Sequence, residues 1–226
     1  MSGLPKIMNL VEKRRKALDV FKAVHSGDGI LWMGLVQIGP TEARASLSNE
    51  RARRRIKEWF TLGLSLGSLL GYAPGANFVR QVVQLLIEYS YFIADSREQA
   101  SMRSKAKERQ IQESTDREKL KGSLVRDSQG VYFEVLQVPG EIPAYVDYCK
   151  VVVSMCTVLT QVYSKFMDEH CYEQANVCEA AESIDKQLCG FFFEPLAAVL
   201  GEVASHSVKK ETGSVANVLA ACQTEQ

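Results

Sequence analysis

Three histidines, His25, His170 and His206, and six cysteines, at positions 149, 156, 171, 178, 189 and 222, are the side chains of this chain best suited to catalysis or metal binding. A histidine base needs a nucleophile and an orienting acid in reach, and none of the three stands in such a motif. HExxH, CxxC and a glycine-rich phosphate loop followed by Lys-Ser/Thr are absent, and Gly63-Leu-Ser-Leu-Gly67, which matches GxSxG, lies within an uncharged helical stretch rather than at a strand-to-helix turn. His170 beside Cys171 lacks the second histidine or paired cysteines that a metal site requires. Asp28, between Gly27 and Gly29, reads as a turn residue rather than a catalytic acid. The first five cysteines are separated by 7, 15, 7 and 11 residues, near multiples of the helical period. That spacing puts small core side chains on an inward helical face, in a reducing compartment, better than it describes a disulfide framework. The expectation is a protein that is not an enzyme, with no metal and no cofactor.

The chemistry that remains is that of surfaces. Formal net charge is zero over 226 residues, yet Lys and Arg outnumber Asp and Glu 22 to 13 in residues 1–126 and are outnumbered 5 to 14 in the remainder. The halves therefore face different partners, or each other. Residues 4–24 carry Leu4, Ile7, Met8, Val11, Leu18 and Phe21 at helical spacing, interleaved with Lys6, Lys13, Arg14, Arg15, Lys16 and Lys22. A basic amphipathic helix of this kind either lies in an anionic membrane interface or packs on a bundle. On the first reading Lys6, Ile7, Val11, Lys13, Arg14, Arg15, Leu18 and Phe21 touch lipid, joined by Trp32 and by Trp59, which stands where an interfacial aromatic would. No zinc-finger spacing or glycine-aromatic RNA-binding signature accompanies the basic residues, so nucleic acid is not the expected partner.

Behind the basic run 51–57 comes the uncharged stretch Phe60 to Val79, about the length that crosses a bilayer. Gly63, Gly67 and Gly71 share one helical face there, the small-xxx-small pattern that brings two helices close and suggests a homo-oligomer. The Gly71-Tyr-Ala-Pro74-Gly75 break makes the stretch the first arm of a helical hairpin whose second arm runs from Phe78 to Ala94, capped by Asn77. The fold class expected is all-α: a helical bundle with a glycine-rich helical hairpin, either embedded in a membrane or buried in a core.

Three regions follow from composition: a basic helical region 1–94, a charged linker or solvated helix 95–126 with pairs such as Glu113 and Arg117, and an acidic helical region 127–226. Ile30 to Ile38 is expected to form a buried or re-entrant helical turn, because the chain offers a strand there few partners. A helix capped by Thr41 carries the basic run to Trp59. Val131 to Val138 reads as a short strand, Ala144 to His170 as a long helix, and Glu173 to Leu188 as another. The Phe191 to Phe193 triplet with Pro195 reads as a turn that either plugs the bundle or dips into an interface. No signal peptide is apparent at the N-terminus, which places the chain on the cytosolic side.

The segment Asp28-Gly-Ile-Leu-Trp-Met-Gly34, then the basic stretch ending in Trp59-Phe60 and the uncharged helix after it, resembles the eleventh-peroxin family of peroxisomal membrane proteins over residues 24–70. The resemblance implies a helical, non-enzymatic protein on the cytosolic face of the peroxisomal or glycosome-like membrane. There it would promote membrane elongation and division, with residues 4–24 as the curvature-inducing helix. The alternative from a different class is a soluble all-helical interaction scaffold or adaptor in the cytoplasm.

Overall fold

A computed structural model describes residues 3–27, 29–32, 34, 36–45, 49–109, 120, 122–127, 130–143 and 146–224. Asp28, Met33 and the Glu113–Arg117 pair lie outside those residues, so the peroxin-like segment is only partly described. The protein is an all-α bundle with two small hairpins. In order along the chain come α1 (Leu4–His25), β1 (Ile30–Trp32), β2 (Val36–Ile38), α2 (Pro40–Ala45), α3 (Asn49–Leu69), α4 (Ala76–Ile93) and α5 (Ser96–Arg109). Then follow β3 (Val125–Asp127), β4 (Gly130–Tyr132), α6 (Tyr148–Lys165), α7 (Glu169–Glu173), α8 (Ala175–Leu188), a π-helical turn (Cys189–Phe193) and α9 (Glu194–Thr224).

One continuous core joins the first half of the chain to the second. Helix α6 packs against both α1 and α3, and α4 packs against α8. The apolar stripe of α1 is spent there: Ile7, Leu18, Phe21 and Val24 are buried among side chains that include Cys156, Phe192 and Phe193. The lipid-facing reading of Ile7, Leu18, Phe21 and Trp59 is thereby corrected, because an apolar stripe gains as much from a neighbouring helix as from acyl chains, and α6 supplies that helix. The charge asymmetry is spent in part the same way. Lys6 pairs with Glu182, Arg14 with Asp185, Arg44 with Asp147 and Arg51 with Glu202, each joining the basic half to the acidic half. The regions 1–94 and 127–226 are thus segments of one core, not separately packed bodies.

Local departures from the sequence reading have local causes. Ile30 to Ile38 is a hairpin, with Ile30 opposite Ile38 and Trp32 opposite Val36. The run is its own partner, with Gly34 between the strands at φ +72°, a left-handed conformation suited to glycine. Helix α2 starts at Pro40, so Thr41 lies inside it. Glu42 accepts a hydrogen bond from the Gly39 N–H at 3.0 Å and satisfies the helix entrance instead. Gly75, not Asn77, caps α4, and Asn77 accepts from Arg80 at 3.0 Å. Helix α3 ends at Leu69, so Gly71 sits in the following turn and the glycine face is reduced to Gly63 and Gly67.

The Phe191 region is not a turn. Helix α8 runs on into α9 through five π-helical residues, and the Glu194 N–H bonds back five residues to the Cys189 carbonyl. Pro195 is the cause: it has no N–H to give the Phe191 carbonyl four residues before it, and a widened turn relieves its ring. The orphaned Phe191 carbonyl accepts instead from the Trp59 indole N–H at 2.9 Å. The widened turn also drives Phe192 and Phe193 into the core against Trp59, Tyr163 and Phe21. The plug expected from the phenylalanine triplet is therefore present, delivered by a helix.

Of the 60–93 hairpin, Leu62, Leu66, Phe78, Val79, Val82, Leu85 and Leu86 are fully buried in the protein. Among the described residues one helical run is long and apolar enough to cross a membrane by length and composition, and it is Ala175–Val215 rather than the hairpin. The first half of that run contains Asp185 and the phenylalanine plug.

Candidate docking site

Glycines decide the shape of the one strongly apolar groove among the described pockets. Helices α3 and α6 run side by side in the same direction, so that Trp59 meets the Tyr148 ring at 5.9 Å and Gly63 meets Met155. A Cβ at Gly63 would lie 3.4 Å from the Met155 sulfur, whereas one at Gly67 would meet nothing within 4 Å. At Gly63, where no side chain fills the space, the two helices leave a half-open groove of about 420 Å³. Trp59, Phe60, Leu64, Val151, Met155 and Val158 line it, with Lys150 and Ser154 as its polar members. Leu64, 41% exposed, is a large apolar side chain left at its edge. The helix-packing role expected of Gly63 is realised, but against α6 of the same chain. Gly67 faces open space instead.

The predicted membrane residues separate into two sets. Lys6, Lys13, Arg15 and Lys16 are exposed on the outer side of α1, where Met8 and Val20 are the exposed large apolar side chains. Val11 and Trp32 are half-buried against the core. Arg14 has turned inward, which corrects its assignment to lipid. Its guanidinium grips Asp185 through two hydrogen bonds of 2.7 and 2.9 Å and lies 5.0 Å from the centre of the Phe193 ring. The Tyr163 hydroxyl donates to the same carboxylate at 2.7 Å. Arg14 and Asp185, 171 residues apart, meet here because a carboxylate shielded from water needs donors in place of solvent, and α1 supplies a charged pair of them from across the core. Sequence reasoning missed Asp185; its position among Ala181, Ile184 and Leu188 on the apolar face of α8 was the available signal.

A second buried carboxylate was also missed as a structural centre. Glu88 is fully buried on α4 and accepts from the backbone N–H groups of Glu134, Val135 and Leu136 at 2.9, 3.0 and 2.7 Å, and from the Gln84 amide. The Gln137 N–H bonds to Ser65 of α3. The stretch expected as a strand to Val138 is therefore a strap beyond Tyr132, held by side chains. Its neighbour Gly122 approaches α4 so closely that a Cβ would come within 2.7 Å of the Gln84 side-chain oxygen.

The groups that could do chemistry are dispersed or inert. His170 and His206 are exposed on different helices and His25 is buried. Among the described residues no group of three His, Cys, Asp or Glu is placed to hold a metal ion. The five cysteines whose side chains are described are free and buried. Burial pushes their thiols above the ordinary range, that of Cys156 to about 12, which disfavours the reactive thiolate.

His25 has a consequence for stability. Its Nδ1 lies 2.7 Å from the Phe21 carbonyl, so Nδ1 donates and the neutral ring keeps Nε2 bare, without a partner, against Tyr148. Burial, with Arg44 nearby, lowers its pKa below the usual 6.5, against the raising effect of the Phe21 carbonyl. The unfolded chain therefore takes up a proton that the folded chain refuses, and stability falls as pH drops through the unfolded value toward the folded one. Stability is therefore expected to decline as pH falls below about 6.5. Urea midpoints of the protein and of His25→Gln across this range test it; an equal decline in both removes His25 as the cause.

Comparison of the chain with protein-family models, with curated proteins and with solved structures finds no match.

Proposed function

We propose that this protein is a non-enzymatic, all-helical docking scaffold whose α3/α6 groove receives the apolar anchor of an amphipathic helix from a protein partner. The observation that carries this reading is the groove itself: an apolar lining to which Gly63 adds no side chain, with an exposed Leu64 at its edge. A groove between helices lined this way accepts residues at i, i+3 and i+4 of a partner helix. A photo-crosslinking side chain introduced at Ser154, exposed on the groove rim, is expected to give an adduct of discrete mass in cells. Leu64→Asp, at an exposed position on the groove's edge, should abolish the adduct while leaving the melting temperature little changed. An adduct that survives Leu64→Asp overturns the reading.

The second reading is the elongation of a peroxisomal or related organelle membrane. It is favoured by the Ala175–Val215 run and by the exposed basic residues on the outer side of α1. On that reading the α8–α9 run enters lipid and Lys13, Arg15 and Lys16 meet anionic headgroups. Flotation with anionic vesicles separates the two. A scaffold stays in the dense fraction without detergent. A membrane-shaping protein floats, resists carbonate extraction, and floats less after Arg15→Glu, most clearly at low salt.

A further inference from the structure

The charges of the basic half are not all paired within the protein. Residues 50–58 of α3 hold five cations and two carboxylates, and Glu202 of α9 adds a third carboxylate from across the contact. Glu58 accepts from Arg54 and Arg55, and Glu202 pairs with Arg51. Arg53 and Lys57 are left over. Both are exposed and neither forms an ion pair with a described residue, although Lys57 lies 5.8 Å from the centre of the Phe92 ring. Their position on the helix ties them to the groove. At steps of four, three and four residues, Arg53, Lys57, Phe60 and Leu64 form one line along α3, and the last two line the groove. Lys150 brings a further cation to the same end: it lines the groove five residues before Met155, level with Glu58, which stands five residues before Gly63. Asp147, the nearest acid on α6, is occupied by Arg44 and by the Lys150 N–H. Past that end the walls carry no charge, since Phe60 to Leu69 of α3 and Val151 to Ser164 of α6 have no ionic side chain. The groove is cationic at one end and neutral along the rest.

We infer, on the docking reading above, that the helix received by this groove is acidic at one end only. Its apolar anchors at i, i+3 and i+4 lie between α3 and α6, and two carboxylates four residues apart, one to two turns past the anchors, meet Lys57 and Arg53. Spacing selects a helix as the occupant. Arg53 and Lys57 are about 6 Å apart along the axis, which is also the rise between side chains at i and i+4 of a second helix lying alongside. A fatty acid has one carboxylate at the end of its chain, and it would leave Arg53, about 10 Å along the axis from Phe60, unanswered. Exposed charges of this kind act more on the choice of partner than on raw affinity. Preference between partners is therefore the quantity to read.

Two fluorescein-labelled helical peptides test it, sharing one leucine stripe and carrying either two glutamates or two lysines at i and i+4 past one end of that stripe. In fluorescence anisotropy the acidic peptide should bind about tenfold more tightly than the basic one, with the difference shrinking at high salt. Arg53→Glu combined with Lys57→Glu, both at exposed positions, should keep the thermal transition and reverse the preference, which a mere loss of packing would not do. Equal binding of the two peptides, no binding of either, or a double variant that still prefers the acidic one overturns the inference. So does binding of laurate without binding of the acidic peptide, which would make the groove a site for an acyl chain. Leu64→Asp separates this inference from the reading beneath it. Peptide binding that survives Leu64→Asp overturns the groove as the dock, whereas binding that is lost in Leu64→Asp but indifferent to the charges at 53 and 57 overturns only the acidic end.

Discussion

Asp185→Ala is expected to cost about 3–5 kcal/mol of unfolding free energy, because it strands the Arg14 guanidinium in the core and removes the acceptor of the Tyr163 hydroxyl. The side chains of Arg14 and Asp185 are only 16% and 12% exposed, so water gives little relief. Exposed pairs such as Lys16 with Glu12, at 75% and 67%, should contribute little by contrast. The cost belongs to leaving one partner unpaired rather than to the ion pair as such. Arg14→Met combined with Asp185→Leu should therefore be less damaging than the sum of its single changes. Urea denaturation of the two singles and the double gives the coupling directly. Additive losses would mean that the two side chains act separately and that the clamp between α1 and α8 carries no energy of its own.

Glu88→Ala should be nearly as severe locally, at roughly 2–4 kcal/mol. Three consecutive N–H groups lose their acceptor at once, and the Leu136 N–H among them is buried with its side chain. Glu88→Gln should be only a partial rescue, since its amide has one acceptor oxygen and turns an NH2 group toward donors. Hydrogen exchange followed by mass spectrometry should show lost protection at residues 134–136 in both variants, with protection in α1 and α6 largely kept. If the strap stays protected in Glu88→Ala, Leu136 and the Gln137 to Ser65 bond hold it without the carboxylate.

These two carboxylates mark where reading the chain was sufficient and where it was not. Helix periodicity placed α1, α4 and α8 close to their observed bounds, because an apolar stripe at helical spacing is a local property of the residues; α3 begins eight residues after the Thr41 expected to cap it, and α6 is shorter at both ends than the Ala144 to His170 expected. The five described cysteines were placed inward for the same reason. Arg14 was read instead as a charge seeking lipid and Glu88 was not singled out as a structural centre, since a charge on an apolar face has no visible partner within its own segment. Glu88 finds N–H groups 46 to 48 residues on, and Arg14 finds Asp185 171 residues on. The Ile30 to Ile38 run was read as helical because its partner was sought elsewhere, although Gly34 allowed the run to fold on itself. The candidate site was half legible: Gly63 and Gly67 were picked out as a close-packing face, but that α6 covers one and leaves the other open depends on where Met155 lands.

By itself, then, the sequence determined most of the helical segments, which face of each is apolar, and that the chain breaks between α3 and α4 around Gly71 to Gly75. Only the tertiary structure decided what each apolar face meets. It turned the α1 stripe from lipid toward α6, paired the basic half with the acidic half, and converted a glycine pattern into a groove. The reason is that burial is non-directional: a hydrophobic stripe gains about the same from any apolar surface, so its partner is chosen by the packing and polar satisfaction of the whole chain rather than by the stripe.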